Sequence, residues 1–290
     1  MKPSILMIGL AAVGVALAVT VSQRDNGNVP RIAVEGESVP TGKFLSAALV
    51  QQGELLPRQL RVHYIERICG PESNPKCRVL KNDYVRSPNA LYFRVEEEGQ
   101  ATYEQSSDIR TREHRRLRTD PGGDTVGEVR YGVFSGSFCE QDLLDTARFP
   151  LYEETLSDAL PRAEVKTEME PVGGHVCWRA EIAGKRWKGR YIVWLDPEIG
   201  YCPRRVDFVF PAADKTPKTF LFSDHKEVSP GVYYPQKQEI RTEQDGRKIT
   251  TQGVVDSLTL GSEGEPEKLV AFPPGTPITD FTSGASRTAN

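Results

Sequence analysis

The residues of this chain that could bond, cut or ligate are few, and their spacing does not suit those tasks. The 290 residues include four His and five Cys. His175 and Cys177 stand two apart, and Cys139 and Cys202 would be needed to complete a four-ligand set. Local zinc sites use C-x-x-C or H-E-x-x-H spacing, which puts two ligands on one side of a turn or helix. Neither spacing occurs, so no metal and no cofactor is expected. Ser135 in Gly132-Val133-Phe134-Ser135-Gly136 lacks the first Gly of G-x-S-x-G, the strained turn that exposes a nucleophile. Asp196 and Glu198 are close carboxylates, but Asp196-Pro197-Glu198-Ile199-Gly200 already explains the Asp as a turn residue. Trp178, Trp187 and Trp194 read as core or sheet-surface aromatics rather than a sugar platform. A catalytic centre is not expected.

Two other sets of residues could bind. Arg110, Arg112, His114, Arg116 and Arg118 alternate. In an extended chain they form one cationic stripe, suited to phosphate head groups or an acidic partner; in a helix the stripe disperses. The plainer alternative is a solvated edge strand whose charges discourage edge-to-edge pairing. The second set is apolar. Leu91, Phe93 and Val95 share one strand face, as do Val206, Phe208 and Phe210, and Phe220 and Phe222. Tyr191 to Leu195, with Trp194, is apolar on both faces, which suits a covered central strand. These residues either line a hollow for a hydrophobic ligand or fill a core. A lined hollow would need no polar group, since each buried CH₂ contributes ~0.8 kcal/mol.

The elements that must position these sets follow from local signals. Lys2 precedes an unbroken apolar run, Ile5 to Val21, with Ala16 and Ala18 in an A-x-A arrangement. Residues 1–21 therefore read as a secretory signal or a retained membrane anchor, and the rest as exported. Residues 22–43 read as a polar linker. Thr41 is placed to cap a short helix over Phe44 to Val50. Short strands follow at Leu60–Ile68, Leu91–Glu98 and Ala101–Gln105. Helices are expected over Gln141–Ala147, behind a Ser137–Glu140 capping box, and over Leu151–Leu160, where Pro161 should stop the second. Strands are then expected at Val176–Ile182, Tyr191–Leu195, Arg205–Phe210, Phe220–Val228, Val232–Glu243 and Lys248–Leu260. Asp245-Gly246 is a hairpin signal. Short turns without helical crossovers require antiparallel neighbours.

Export permits disulfides. Cys69 and Cys77 flank a polar turn and are expected to pair across a hairpin. Cys177 and Cys202 should begin strands separated by a third. Their separation of ~10 Å then exceeds the ~7 Å Cα limit for a bridge, so they should stay unbridged.

Three segments resemble a known group: Glu170-Pro171-Val172-Gly173-Gly174-His175-Val176-Cys177, Val193-Trp194-Leu195-Asp196-Pro197-Glu198-Ile199-Gly200-Tyr201, and Gly231-Val232-Tyr233-Tyr234-Pro235. Together they look like an opening strand and two turns of the outer-membrane lipoprotein-carrier (LolA/LolB-like) superfamily. Phe272 to Asp280 resembles the closing segment of exported bacterial relatives. The resemblance implies an α+β fold over residues 44–280: a strongly curved antiparallel sheet, a half-barrel, with a few helices across its concave face. A flexible tail, 281–290, would follow.

The expected protein is a non-enzymatic monomer of the periplasm or cell envelope. It would hold a lipid acyl chain or other hydrophobic ligand on Leu91, Phe93, Val95, Trp194, Val206, Phe208, Phe220 and Phe222. Two alternatives stand beside it: a regulatory module of the same fold that reads an envelope protein, and an envelope hydrolase. With a net charge of -3 and no Gly-rich phosphate loop, no nucleic acid is expected as partner.

Overall fold

The structure is a computed structural model. It describes residues 38–56, 59–70, 77–87, 89–108, 110–131, 149, 151, 154–185, 188–211, 218–244, 247–261 and 268–289. The apolar run Ile5–Val21, the expected helix Gln141–Ala147, Ser135, Cys139, Trp187 and the Asp245-Gly246 turn lie outside the described residues. Among those described, no helix is long and apolar enough to cross a membrane.

Helix α1 (Gly42–Leu55) starts where Thr41 Oγ1 accepts a hydrogen bond from the Phe44 N–H at 3.2 Å. It is longer at both ends than the expected helix. A meander of six strands follows: β1 (Leu60–Cys69), β2 (Cys77–Arg86), β3 (Ala90–Glu97), β4 (Thr102–Asp108), β5 (Glu113–Thr119) and β6 (Thr125–Tyr131). Next comes α2 (Leu156–Ala159), which continues as a 3-10 turn, Leu160–Arg162. The expected helix from Leu151 is thus one turn long, and Thr155 caps it. The α-helical ladder stops just before Pro161, as expected: the Leu160 N–H is the last to donate four residues back, to Leu156, and Pro161, which has no N–H, lies in the 3-10 turn that follows.

The second half contains β7 (Glu164–Val172), β8 (His175–Ala183), β9 (Arg190–Asp196), β10 (Cys202–Val209), β11 (Lys218–Ser223), β12 (Lys226–Ser229), β13 (Val232–Tyr234), β14 (Lys237–Gln244) and β15 (Arg247–Leu260). Two expected strands are each broken in two. Asp224 takes φ 53 and ends β11. Pro235, which has no N–H to donate to a ladder, ends β13. The pair β12–β13 folds over as a separate two-stranded sheet. The chain closes with β16 (Pro277–Asp280) and β17 (Ser286–Thr288). The expected flexible tail is therefore partly strand, and Thr282 Oγ1 also accepts from the Tyr131 N–H at 2.8 Å.

Among the described residues, fifteen strands form one open sheet in the order β17-β16-β6-β5-β4-β3-β2-β1-β15-β14-β11-β10-β9-β8-β7. Every pair is antiparallel except β16 with β6. The two edge strands, β17 and β7, do not pair with each other, so the barrel stays incomplete. Twisted open sheets of this width rarely form without curling, splitting or flattening. Its inner face carries one large core: Leu60, Val62 and Tyr64 of β1, Ala180 and Ile182 of β8, Tyr191, Val193 and Leu195 of β9, and Val206 and Phe208 of β10. Leu45 and Leu49 of α1 and Leu156, Ala159 and Leu160 of the α2 region close it. The fold is α+β, with its helices on the concave side.

Two features fasten the half of the sheet that holds β1–β6. The segment 268–272 crosses the outer face of β2–β5, where Val270 joins Tyr92 and Leu117 in a second core. Gly127 of β6 makes room for it: a Cβ there would meet the Phe272 ring at 2.8 Å. At the far end of β1 and β2, Cys69 and Cys77 are joined by a disulfide, with Cα atoms 4.2 Å apart.

Candidate functional site

Residues directly opposite one another in an antiparallel pair share a face, so the register reads out the inner surface row by row. One row runs Val62, Tyr84, Phe93, Gln105, Arg116, Glu128 across β1 to β6. A neighbouring row runs Tyr64, Asn82, Val95, Tyr103, Arg118, Val126. The third runs Leu60, Arg86, Leu91, Ser107, His114, Arg130. Apolar side chains on β1 and β3, with Tyr84, Asn82 and Arg86 of β2 between them, thus give way to neutral polar ones on β4 and cationic ones on β5. Sequence reading missed this gradient because it requires the pairing of six strands, of which β2 and β6 carry no strong strand signal.

The structure divides the eight expected ligand-lining residues into three groups. Val206, Phe208, Phe220 and Phe222 are buried in the filled core. The Phe149 ring packs edge-on against Phe220 and Phe222, with centroids 5.2 and 5.6 Å away. Leu91 and Phe93 are only partly buried and pack on the margin of that core, where Phe93 stacks on Tyr64 at 6.4 Å. Val95 lies beside them in the register, also partly buried. Trp194 does not join them. Alternation along β9 puts it on the outer face with Cys177 and Ile192, opposite in direction to Val193 and Leu195. There it lies under Arg205 and Arg179 and donates its indole N–H to Glu170 at 2.8 Å. That bond holds the Glu170 carboxyl below its usual range.

The cationic set is divided as well. Arg116 and Arg118 share the inner face of β5 with His114. Arg110 and Arg112 precede that strand in the β4–β5 turn, where Asp108 Oδ1 accepts from the Arg110 and Thr111 N–H groups and Arg112 takes φ 56. The turn removes them from the stripe. Nor is β5 an edge strand, since it is hydrogen-bonded on both sides. Its charges are therefore not edge protection. Arg118 pairs with Asp120 at 2.7 Å. Arg116 meets Glu128 only at 3.9 Å and lies over the Tyr103 ring at 5.7 Å; its Nε is buried without a hydrogen-bond partner. Asn82, 3% exposed, likewise has neither amide atom hydrogen-bonded.

A separate polar cluster sits at the end of β8–β10. Asp196 is fully buried; its Oδ2 accepts from Arg204 Nε and Nη2, each at 2.8 Å, and its Oδ1 from the Glu198 N–H at 2.9 Å. Arg204 is the bulge residue between Pro203 and Arg205. Its Nη1 donates to His225 Nδ1 at 2.9 Å. Because Arg can only donate, the neutral imidazole carries its proton on Nε2. Burial, with Arg204 nearby, pushes the His225 pKa down to about 3. Arg204 and His175 also line a cavity of about 570 Å³ with Asp224, Lys237, Gln238 and Gln252. Of the expected ligand-lining residues, that cavity touches Phe222 alone. The W-x-D-P turn signalled this cluster; the Arg and His partners had no local signal.

Cys177 and Cys202 flank Asp196 from β8 and β10, with β9 between them, and they are not bridged to each other. Burial pushes the Cys177 thiol up to about 12, which keeps it un-ionised. Among the described residues, no group of three or more His, Cys, Asp or Glu could hold a metal ion. Ser107 Oγ and His114 Nδ1 meet at 2.8 Å as direct cross-strand neighbours of β4 and β5.

No family model and no curated protein matches the sequence. Solved structures do. A domain from Vibrio parahaemolyticus named for outer membrane lipoprotein sorting is 12% identical, with 76% of this chain and 93% of that one covered at a TM-score of 0.47. A DUF1329 family protein from Desulfovibrio piger is 15% identical, over 77% and 92%, at 0.48. A LolA superfamily protein from Nitrosomonas europaea is 10% identical, over 75% and 94%, at 0.42. The solved structures similar to this chain thus include members of the group that its turn motifs resemble.

Proposed function

We propose that this chain is a non-enzymatic, monomeric binding protein of the cell envelope that holds an acyl chain or other hydrophobic ligand against the inner face of its sheet. The observation that carries this reading is the accessible apolar margin formed by Leu91, Phe93 and Val95 beside a closed core. These side chains face inward, yet no described helix covers them completely. The other four inward-facing residues, Val206, Phe208, Phe220 and Phe222, act as the packed floor that holds the curvature. Envelope location is supported by the apolar run Ile5–Val21 and by the Cys69–Cys77 bridge, a bond that persists in oxidising compartments.

The test is displacement of a fluorescent fatty acid from the purified chain. Phe93→Ser should weaken binding about tenfold, in line with loss of one large apolar contact, while Phe208→Leu should leave it unchanged. Equal affinity in wild type and Phe93→Ser would refute the reading.

A second reading, a partner-binding module of the same fold, is favoured by the filled core under Phe149. A third, a hydrolase, has only the Ser107–His114 contact in its favour. A fluorophosphonate that labels Ser107 in the folded chain would establish it.

A further inference from the structure

We propose that the ligand is an anionic glycerophospholipid, its tails on β1–β3 and its phosphate at Arg116 and Arg118. This deepens the function proposed above and rests on it. Three properties of the inner face carry the inference together.

The first is order. Crossing from β3 to β5, the face changes from Leu91, Phe93 and Val95 to Ser107, Gln105 and Tyr103, and then to His114, Arg116 and Arg118. Strands lie ~4.8 Å apart, so apolar and cationic zones are about 10 Å apart, with a neutral hydrogen-bonding zone between. A phospholipid has the same sequence of parts: hydrocarbon, ester-linked glycerol, phosphate. A bare fatty acid has no part for the middle zone, and a neutral lipid none for the last.

The second is unmet hydrogen-bonding capacity. On β5 itself, Arg116 Nε is buried and has no hydrogen-bond partner, which is unfavourable for a charged donor; a phosphate oxygen would accept from it.

The third is the looseness of the counter-charge. Glu128 stands 3.9 Å from Arg116 and 3.8 Å from Arg130, beyond hydrogen-bond length in both cases. Arg118 is about half exposed and shares its charge with Asp120 at the end of the strand. A phosphate, with its several acceptor oxygens, satisfies guanidinium forks better than a carboxylate at that distance.

The experiment uses the full chain in detergent micelles carrying equal amounts of phosphatidylglycerol and of diacylglycerol with the same tails. Retained lipid is counted by native mass spectrometry. Wild type should retain phosphatidylglycerol about tenfold over diacylglycerol, a preference worth one charge-assisted contact. Arg116→Gln combined with Arg118→Gln should bring the two lipids to parity without lowering diacylglycerol retention. Glu128→Gln, which removes the competing carboxylate, should raise phosphatidylglycerol retention several-fold. Equal retention of the two lipids by wild type would overturn the phosphate assignment while leaving acyl binding intact. So would an unchanged ratio in the double variant. A chain that retains neither lipid would remove the underlying function as well.

Discussion

At the scale of single residues, the outer end of β8–β10 shows how burial makes one side chain decisive. Asp196 is fully buried and has both carboxylate oxygens hydrogen-bonded; removing it strands Arg204, itself almost wholly enclosed. Loss of one member of a buried pair typically costs about 3–5 kcal/mol. Asp196→Ala should therefore lower unfolding stability by that order, whereas Glu198→Ala on the same turn should cost under about 1 kcal/mol; urea unfolding of both variants checks this. His225 adds a pH dependence with a definite sign. Folded, its pKa is held near about 3 by burial and the neighbouring Arg204; unfolded, it returns to ~6.5. Between those values the unfolded chain binds the extra proton, so stability falls as pH drops below ~6.5 and is fully present above it. The slope from this one group is at most about 1.4 kcal/mol per pH unit. His225→Gln should flatten the fall in urea midpoint between pH 7 and pH 5; a variant that follows the wild-type curve would show that His225 does not cause it.

Between elements, the turns that looked like family motifs turn out to be the seat of helix α1. Gln52 reaches from that helix to donate to the Gly231 carbonyl at 2.7 Å and to accept from the Tyr233 N–H at 3.4 Å. The same side chain lies against Gly200: a Cβ there would meet its Nε2 at 2.3 Å, and the residue's φ of 66 already favours glycine. The D-P-x-x-G turn and the G-x-x-x-P turn, 31 residues apart at these glycines, thus converge on one glutamine. Gln52→Ala should loosen α1 from the sheet and raise hydrogen exchange in residues 42–55 before it affects β1. The disulfide acts at the other end of β1. By closing a short loop, it should contribute about 2 kcal/mol through the unfolded state, so Cys69→Ser and mild reduction should destabilise the chain equally. These elements were legible to different degrees. Strands with alternating or wholly apolar composition, such as β1 and β9, announce themselves, as does a capped helix. β2 (CRVLKNDYVR) and β6 (TVGEVRY) do not, because their polar content reflects neighbours supplied by distant parts of the chain.

For the whole molecule, the sheet is antiparallel because its turns are short, and that much could be read from turn residues alone. The inner-face gradient could not, since it exists only once β1 to β6 are in register, and neither could the return of the C-terminus. After β15 the chain leaves one wing and fastens the other. Lys268 lies over the Tyr92 ring at 3.8 Å and reaches Asp83 at 3.4 Å. The Val270 N–H donates to Ser106 Oγ at 2.9 Å, and Arg115 donates to the Val270 carbonyl at 3.1 Å. β16 then pairs parallel with β6, with Phe281 beneath Arg130. Antiparallel neighbours come from short turns; this parallel strand must come from far along the chain. The segment therefore has a task that the sequence pattern alone does not reveal: it covers the outer face of the wing whose inner face carries Arg116 and Arg118. Without it Tyr92, Leu117 and Val129 would meet water on that side. Ending the chain after Gly261 should leave the core beneath α1 folded, because no residue of that core lies beyond Leu258, yet release β4–β6. Hydrogen exchange should then rise across residues 102–131 and remain slow in β8–β10. Uniform loss of protection in both wings would instead show that the two halves of the sheet form one cooperative unit.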